Sequence, residues 1–129
     1  MEQKYTIKNI GTISQLKDKF FAKDALGLTG MEISINRQPA GKGVPFVHIH
    51  QQNEEVYIVV SGTGTFFVDG KEFPLTAGSL VRVAPGAERS LSAGSEDLCY
   101  ICVQAKAGSL EQFTMTDAKL APTKTSWIN

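Results

Sequence analysis

Histidine, cysteine and tryptophan are scarce in this chain: its 129 residues include two histidines, two cysteines and one tryptophan. Two cysteines cannot make the dense disulfide framework that staples a small secreted domain. Cys99 and Cys102 lie in DLCYICVQA, an apolar, β-rich run with no helix start on which a thiolate could sit. Residues three apart on a strand face opposite sides, so a bridge between them is disfavoured, and both read as small core or sheet-surface residues. Neither charge sign dominates, since Lys plus Arg and Asp plus Glu both number 13. A nucleic-acid groove or an anionic membrane face calls for a basic excess, so neither partner is expected. No uninterrupted apolar run reaches membrane-spanning length, and MEQKYTIKNIG lacks the basic-then-apolar layout of a signal peptide. A cytoplasmic location is the expectation. No glycine run opens a helix to cradle phosphate, and no serine elbow is present.

What the chain does have is a regular succession of short strand patterns. Its length suits one domain, 1–129, with enough interior for a core. ISQLKDKFFAKDAL, Ile13 to Leu26, carries Leu16, Phe20 and Phe21 at helical spacing, with Thr12 or Ser14 as cap and Gly27 as stop. MEISINR alternates, and VPFVHIH, EVYIVV, GTFFV, KEFPL, SLVRVAP, ERSLSA and LCYICVQA follow. Turn signals separate them: Asp69-Gly70 for a hairpin, Pro85-Gly86, and Gly94-Ser95. The fold expected is all-β, an antiparallel sandwich or barrel, with one short N-terminal helix within 4–26 and a loose tail over 117–129.

Both histidines fall in FVHIHQQNEEVYIVVSGTG, one residue apart. Alternate strand positions share a face, so His48 and His50 point the same way, while Val47 and Ile49 face the core. After QQNE, the return strand begins with Glu55, whose carboxylate an antiparallel pairing can bring beside the imidazoles. A one-residue slip substitutes Glu54 for it. Two imidazoles and a carboxylate suit Fe(II), Mn(II), Zn(II) or Ni(II) and leave coordination positions open.

These residues resemble the first motif of the cupin superfamily: His48-Ile49-His50, a gap, Glu55, then VYIVVS before Gly62, with Gly41 or Gly43 near the leading glycine. Gly78, SLVRVA and Pro85-Gly86 resemble the frame of the second motif. The similarity spans roughly residues 31–105 and implies a double-stranded β-helix, the jelly-roll barrel. It implies dioxygenase, isomerase, decarboxylase or lyase chemistry without choosing among them. It also implies a homodimer formed through sheet edges or an exchanged N-terminal strand, here YTIKNI.

One departure stands out. Where cupins place a third histidine, PGAERSL has Arg89, which stays protonated and offers no lone pair to a metal. Arg89 has three roles open to it: an outward solvated charge, a partner for Glu55 or Glu54 inside the barrel, or an anion anchor at the pocket mouth. Tyr57 shares the face of Glu55, and Phe66, with Val68 or in the other register Phe67, adds an apolar wall. Arg89, Tyr57 and Phe66 are therefore the expected small-molecule contacts. A metal-free barrel with Arg89 holding an anion is the alternative function.

Overall fold

The computed structural model describes residues 3–128. Eight strands follow a single 3-10 turn at Ile13–Gln15: β1 (Phe20–Phe21), β2 (Glu32–Gln38), β3 (Asn53–Ser61), β4 (Gly64–Val68), β5 (Lys71–Leu75), β6 (Leu80–Val83), β7 (Arg89–Ala93) and β8 (Leu98–Lys106). Two short helices, α1 (Ala22–Leu26) and α2 (Thr114–Asp117), complete the elements. One sheet runs β1-β2-β8-β3-β6 and the other β5-β4-β7, every pairing antiparallel. Tyr57, Val59, Leu98 and Tyr100 from the first sheet meet Phe66, Leu75, Leu91 and Ala93 from the second in one buried cluster. This is the two-sheet, period-2 arrangement that the alternating strand patterns predict.

Turn chemistry closes the barrel as the sequence indicates. Asp69 and Gly70 both take positive φ, 47° and 82°, the backbone a two-residue hairpin of the primed type needs between β4 and β5. Asp69 Oδ1 in turn accepts from the Glu88 N–H at 2.8 Å, tying this turn to the start of β7. Gly62 has φ 89°, and a Cβ there would run into the carbonyl of Asp97. The close approach of the β3–β4 turn to the start of β8 therefore requires glycine.

Three expectations are corrected. Residues 13–26 do not form one helix; a 3-10 turn, the two-residue strand β1 and the five-residue α1 share that span. The adjacent aromatics pair with the free edge of β2, Phe20 with Ile35 and Phe21 with Ser34, and Arg37 Nε donates to the Leu16 carbonyl at 2.6 Å. Tertiary pairing overrides a helical period that rested on three apolar residues. Gly27, in the left-handed conformation, does end α1. Within its own chain the segment YTIKNI pairs with no strand and exposes Tyr5 and Ile7, so its expected exchange with a second copy is untouched.

VPFVHIH is likewise no continuous strand. Together with the preceding Gly43 it follows β7 at two isolated bridges, Gly43 with Ser92 and His48 with Arg89. Val47 and Ile49 are half exposed, at 52% and 50%, rather than core. The segment lies along the barrel rim, so only one of its faces has protein to pack against.

Candidate metal centre

The register of β3 decides the carboxylate. Glu55, Tyr57 and Val59 point inward and are buried, whereas Glu54 is exposed and lies 3.9 Å from Arg82. Glu54 is thus excluded as the interior acid, because alternation turns it to solvent when Glu55 faces the core. His48 reaches the same interior point through a reciprocal backbone pair with Arg89, both N···O distances being 3.1 Å. The His50 carbonyl accepts from the Gly86 N–H at 2.9 Å, which fixes the second imidazole against the turn after β6. The two rings meet edge to face with centroids 5.0 Å apart.

Ligand atoms of His48, His50 and Glu55 all lie within 4.8 Å of one another. His50 Nε2 stands 3.2 Å from Glu55 Oε2. Neighbouring ligand atoms around a first-row divalent ion are separated by roughly 3 Å, given bonds of about 2.1 Å. The donor types and the 3.2 Å spacing of His50 and Glu55 fit such an ion, which these residues would hold at the wall of a cavity of about 240 Å³.

Glu55 is the hub of the site. Its Oε1 accepts from the Tyr57 hydroxyl at 2.8 Å, and its Oε2 from the Cys102 thiol at 3.3 Å. Arg89 is fully buried, and its Nε lies 3.7 Å from Glu55 Oε1. Of the three roles open to Arg89, the structure shows the interior pair with Glu55. Its side chain is absent from the cavity lining, because β7 directs it into the fully buried interior at the residue paired with His48. Its Nη2 donates to the Ala84 carbonyl at 3.3 Å, while Nη1 has no hydrogen-bond partner among the described residues. Tyr57 lines the cavity and takes Glu55 as partner in place of Arg89. Phe66 packs against the Tyr57 ring from the core, centroids 4.9 Å apart, and is not part of the cavity lining.

Sequence reasoning missed Cys102, Tyr100 and Gln104, which β8 directs into the same cavity, and Ser34 from β2. A signal was present: in LCYICVQA the residues at 100, 102 and 104 alternate as Tyr, Cys and Gln, a semi-polar face opposite Cys99, Ile101 and Val103. Both cysteines are buried free thiols. Burial, reinforced by the Glu55 charge, pushes the Cys102 thiol up to about 12, so it donates to the carboxylate as a thiol. Burial likewise raises Tyr57 well beyond the usual phenol range and Tyr100 to about 12.

Burial lowers the His48 pKa below its ordinary value of about 6.5, a shift that the Glu55 charge opposes in part. A lowered native pKa means that the unfolded chain takes up this proton first as pH falls. The His48 contribution to stability is thus intact above about pH 6.5 and is lost as pH drops toward the lower native value. Urea midpoints measured in chelator at pH 7.5 and pH 5 should fall more steeply for wild type than for His48→Gln. Equal slopes would remove His48 as the cause.

Fold and site together define an antiparallel barrel with two histidines and a glutamate converging inside it. The family model for the cupin domain matches residues 35–104, more than half of the chain, and the chain belongs to the cupin superfamily with its double-stranded β-helix. A cupin protein from Bacteroides fragilis, seen in a crystal structure, is 43% identical, with 93% of this chain and 99% of that one covered and a TM-score of 0.86. A putative sugar phosphate isomerase from Acidithiobacillus ferrooxidans is 25% identical over 82% of this chain and 69% of its own, with a TM-score of 0.63. A predicted oxalate decarboxylase from Thermotoga maritima is 27% identical over 59% of this chain and 64% of its own, with a TM-score of 0.53. No curated protein matches the chain. Among the described residues, no helix is long and apolar enough to cross a membrane.

Proposed function

We propose that this cupin holds a divalent transition metal, Fe, Mn, Ni or Zn, through His48, His50 and Glu55, and acts on a small anionic molecule bound in the cavity above them. The observation that carries the reading is the convergence of the three ligand atoms within 4.8 Å at a cavity wall. Such an ion supplies Lewis acidity or redox chemistry at open positions, as dioxygenase, isomerase and lyase reactions require. The chain's own residues supply the setting. Tyr57 and Cys102 hold the Glu55 carboxylate in place, and Arg89 keeps a positive charge behind it. Both cysteines are free thiols, which suits a reducing compartment such as the cytoplasm.

The test is metal analysis by inductively coupled plasma mass spectrometry on protein purified without tag or chelator. Near-stoichiometric metal in wild type and its loss in the His48→Ala, His50→Ala double variant are expected. The second reading is a metal-free binding barrel in which Arg89 neutralises Glu55, and the 3.7 Å approach of these two groups favours it. Absence of metal after incubation with Fe(II), Mn(II), Ni(II) and Zn(II) would establish that second reading in place of the first.

The same reading includes a homodimer. Leu110, Phe113, Met115, Leu120 and Trp127 beyond the barrel are exposed, as are Tyr5 and Ile7 before it. Two apolar arms on one small chain form a surface that a second copy can cover. Size-exclusion chromatography with light scattering should give twice the chain mass at micromolar concentration, and removing residues 110–129 should give a monomer. A monomeric full-length chain would overturn this part.

A further inference from the structure

With Arg89 fully buried behind Glu55, the cavity needs another source of anion selectivity, and the N-terminal segment provides one. β1 pairs with β2, and Lys19 immediately before it shares the strand face of Phe21, so both side chains line the cavity. Lys19 Nζ lies 5.7 Å from the Phe21 ring centroid, a contact that holds the ammonium at the rim. Among the described residues, Lys19 is the one lysine or arginine in the lining.

Charge arithmetic then points one way. Glu55 and Arg89 offset each other, which leaves the positive charge of Lys19 in the metal-free cavity and a larger positive excess when a divalent ion is present. The remaining surfaces are of two kinds. Ser34, Tyr100 and Gln104 form a hydrogen-bonding wall, and Val44, Phe46 and Leu91 an apolar one. The volume of about 240 Å³ lies below the roughly 300–1,000 Å³ of sites for drug-sized ligands. A phosphate ester brings up to two charges and three acceptor oxygens, more than one ammonium matches. A carboxylate brings one charge and two acceptors, which Lys19 and a neighbouring hydroxyl or amide can meet.

We infer that Lys19 is the anion anchor of this cavity and that the ligand is a small carboxylic acid, one carboxylate held at the rim by Lys19 and an oxygen group at its other end facing His48, His50 and Glu55. This rests on the proposed small-anion function and assigns the chemical class of the ligand.

Calorimetric titration with malonate, succinate and their neutral diamides, malonamide and succinamide, tests it, using Zn(II)-loaded and metal-free protein. Wild type should bind at least one of the two diacids, with the matching diamide at least tenfold weaker. Lys19→Gln should bind that diacid at least tenfold more weakly, with unchanged metal content, and show a smaller preference for the diacid over its diamide. Lys17→Gln, an exposed change outside the cavity, should match wild type. Raising the salt concentration should weaken diacid binding to wild type far more than to Lys19→Gln.

Equal affinity in wild type and Lys19→Gln would overturn the anchor, as would failure of wild type to bind either diacid at millimolar concentration. Phosphoglycolate binding more than tenfold tighter than malonate would overturn the carboxylate class. Lys19-dependent diacid binding that is unchanged by metal removal or by the double histidine variant would sustain the anchor and refute the metal half of the proposed function, so the two fail separately.

Discussion

Arg89→His is expected to bind Zn(II) at least tenfold more tightly than the wild-type protein. In wild type, a guanidinium stands 3.7 Å from the only interior carboxylate of the triad, fully buried, and competes with any cation for it. Two positive centres around one carboxylate repel by several kcal/mol at an effective dielectric constant of about 20. The substitution removes that repulsion and adds an imidazole at the residue paired with His48, converting three ligands to four. Each tenfold in affinity corresponds to about 1.4 kcal/mol, so the rise in thermal midpoint with added Zn(II) should exceed that of wild type. Without metal the variant should be the less stable protein, because Glu55 loses its counter-charge. Competition titration against a chelating dye reads the affinity directly; an unchanged or weaker value would show that Arg89 does not limit metal binding.

Glu55→Gln should have the largest effect on stability, a loss of about 3–5 kcal/mol, the usual cost of leaving a buried charge without its partner. The amide keeps an oxygen acceptor for only one of Tyr57 and Cys102, so the loss combines the stranded Arg89 guanidinium with one broken hydrogen bond. Metal uptake should fall below detection in the same variant. Glu54→Gln, one residue away and exposed, should change stability by no more than about 0.5 kcal/mol and leave metal content intact. Urea unfolding of the two variants beside wild type gives both numbers, and a Glu55→Gln cost under about 1 kcal/mol would contradict the central place of the Arg89 pair.

The strands were legible because period-2 alternation and turn residues act locally: Asp69-Gly70 sets its hairpin whatever surrounds it. The convergence of His48, His50 and Glu55 was legible for the same reason, since alternation fixes the face and the return strand brings the carboxylate close. What the sequence obscured was set by distant partners. Phe20 and Phe21 satisfy a helical period and a strand edge equally well, and β2 decides between them. Val47 and Ile49 read as core because alternation says nothing about whether a second layer covers the opposite face. The inward direction of Arg89 was one of several open readings until its pairing with His48 chose it. Cys102 looked like filler because its partner is 47 positions away.

The cavity is walled by residues of two origins, and they differ in how freely they can vary. His48, His50, Glu55 and Tyr57 belong to the stretch 35–104 by which the chain is recognised as a cupin, and their side chains interlock, so changing one disturbs the rest. Lys19 and Phe21 precede that stretch, Phe21 on a two-residue strand at the margin of a sheet and Lys19 just before it. Substitution there leaves the barrel's hydrogen-bonded frame untouched. Within this architecture the reactive centre can stay constant while the gatepost residues drift, so two barrels with identical interiors can accept different molecules, and the difference would be written in the least conspicuous part of the chain.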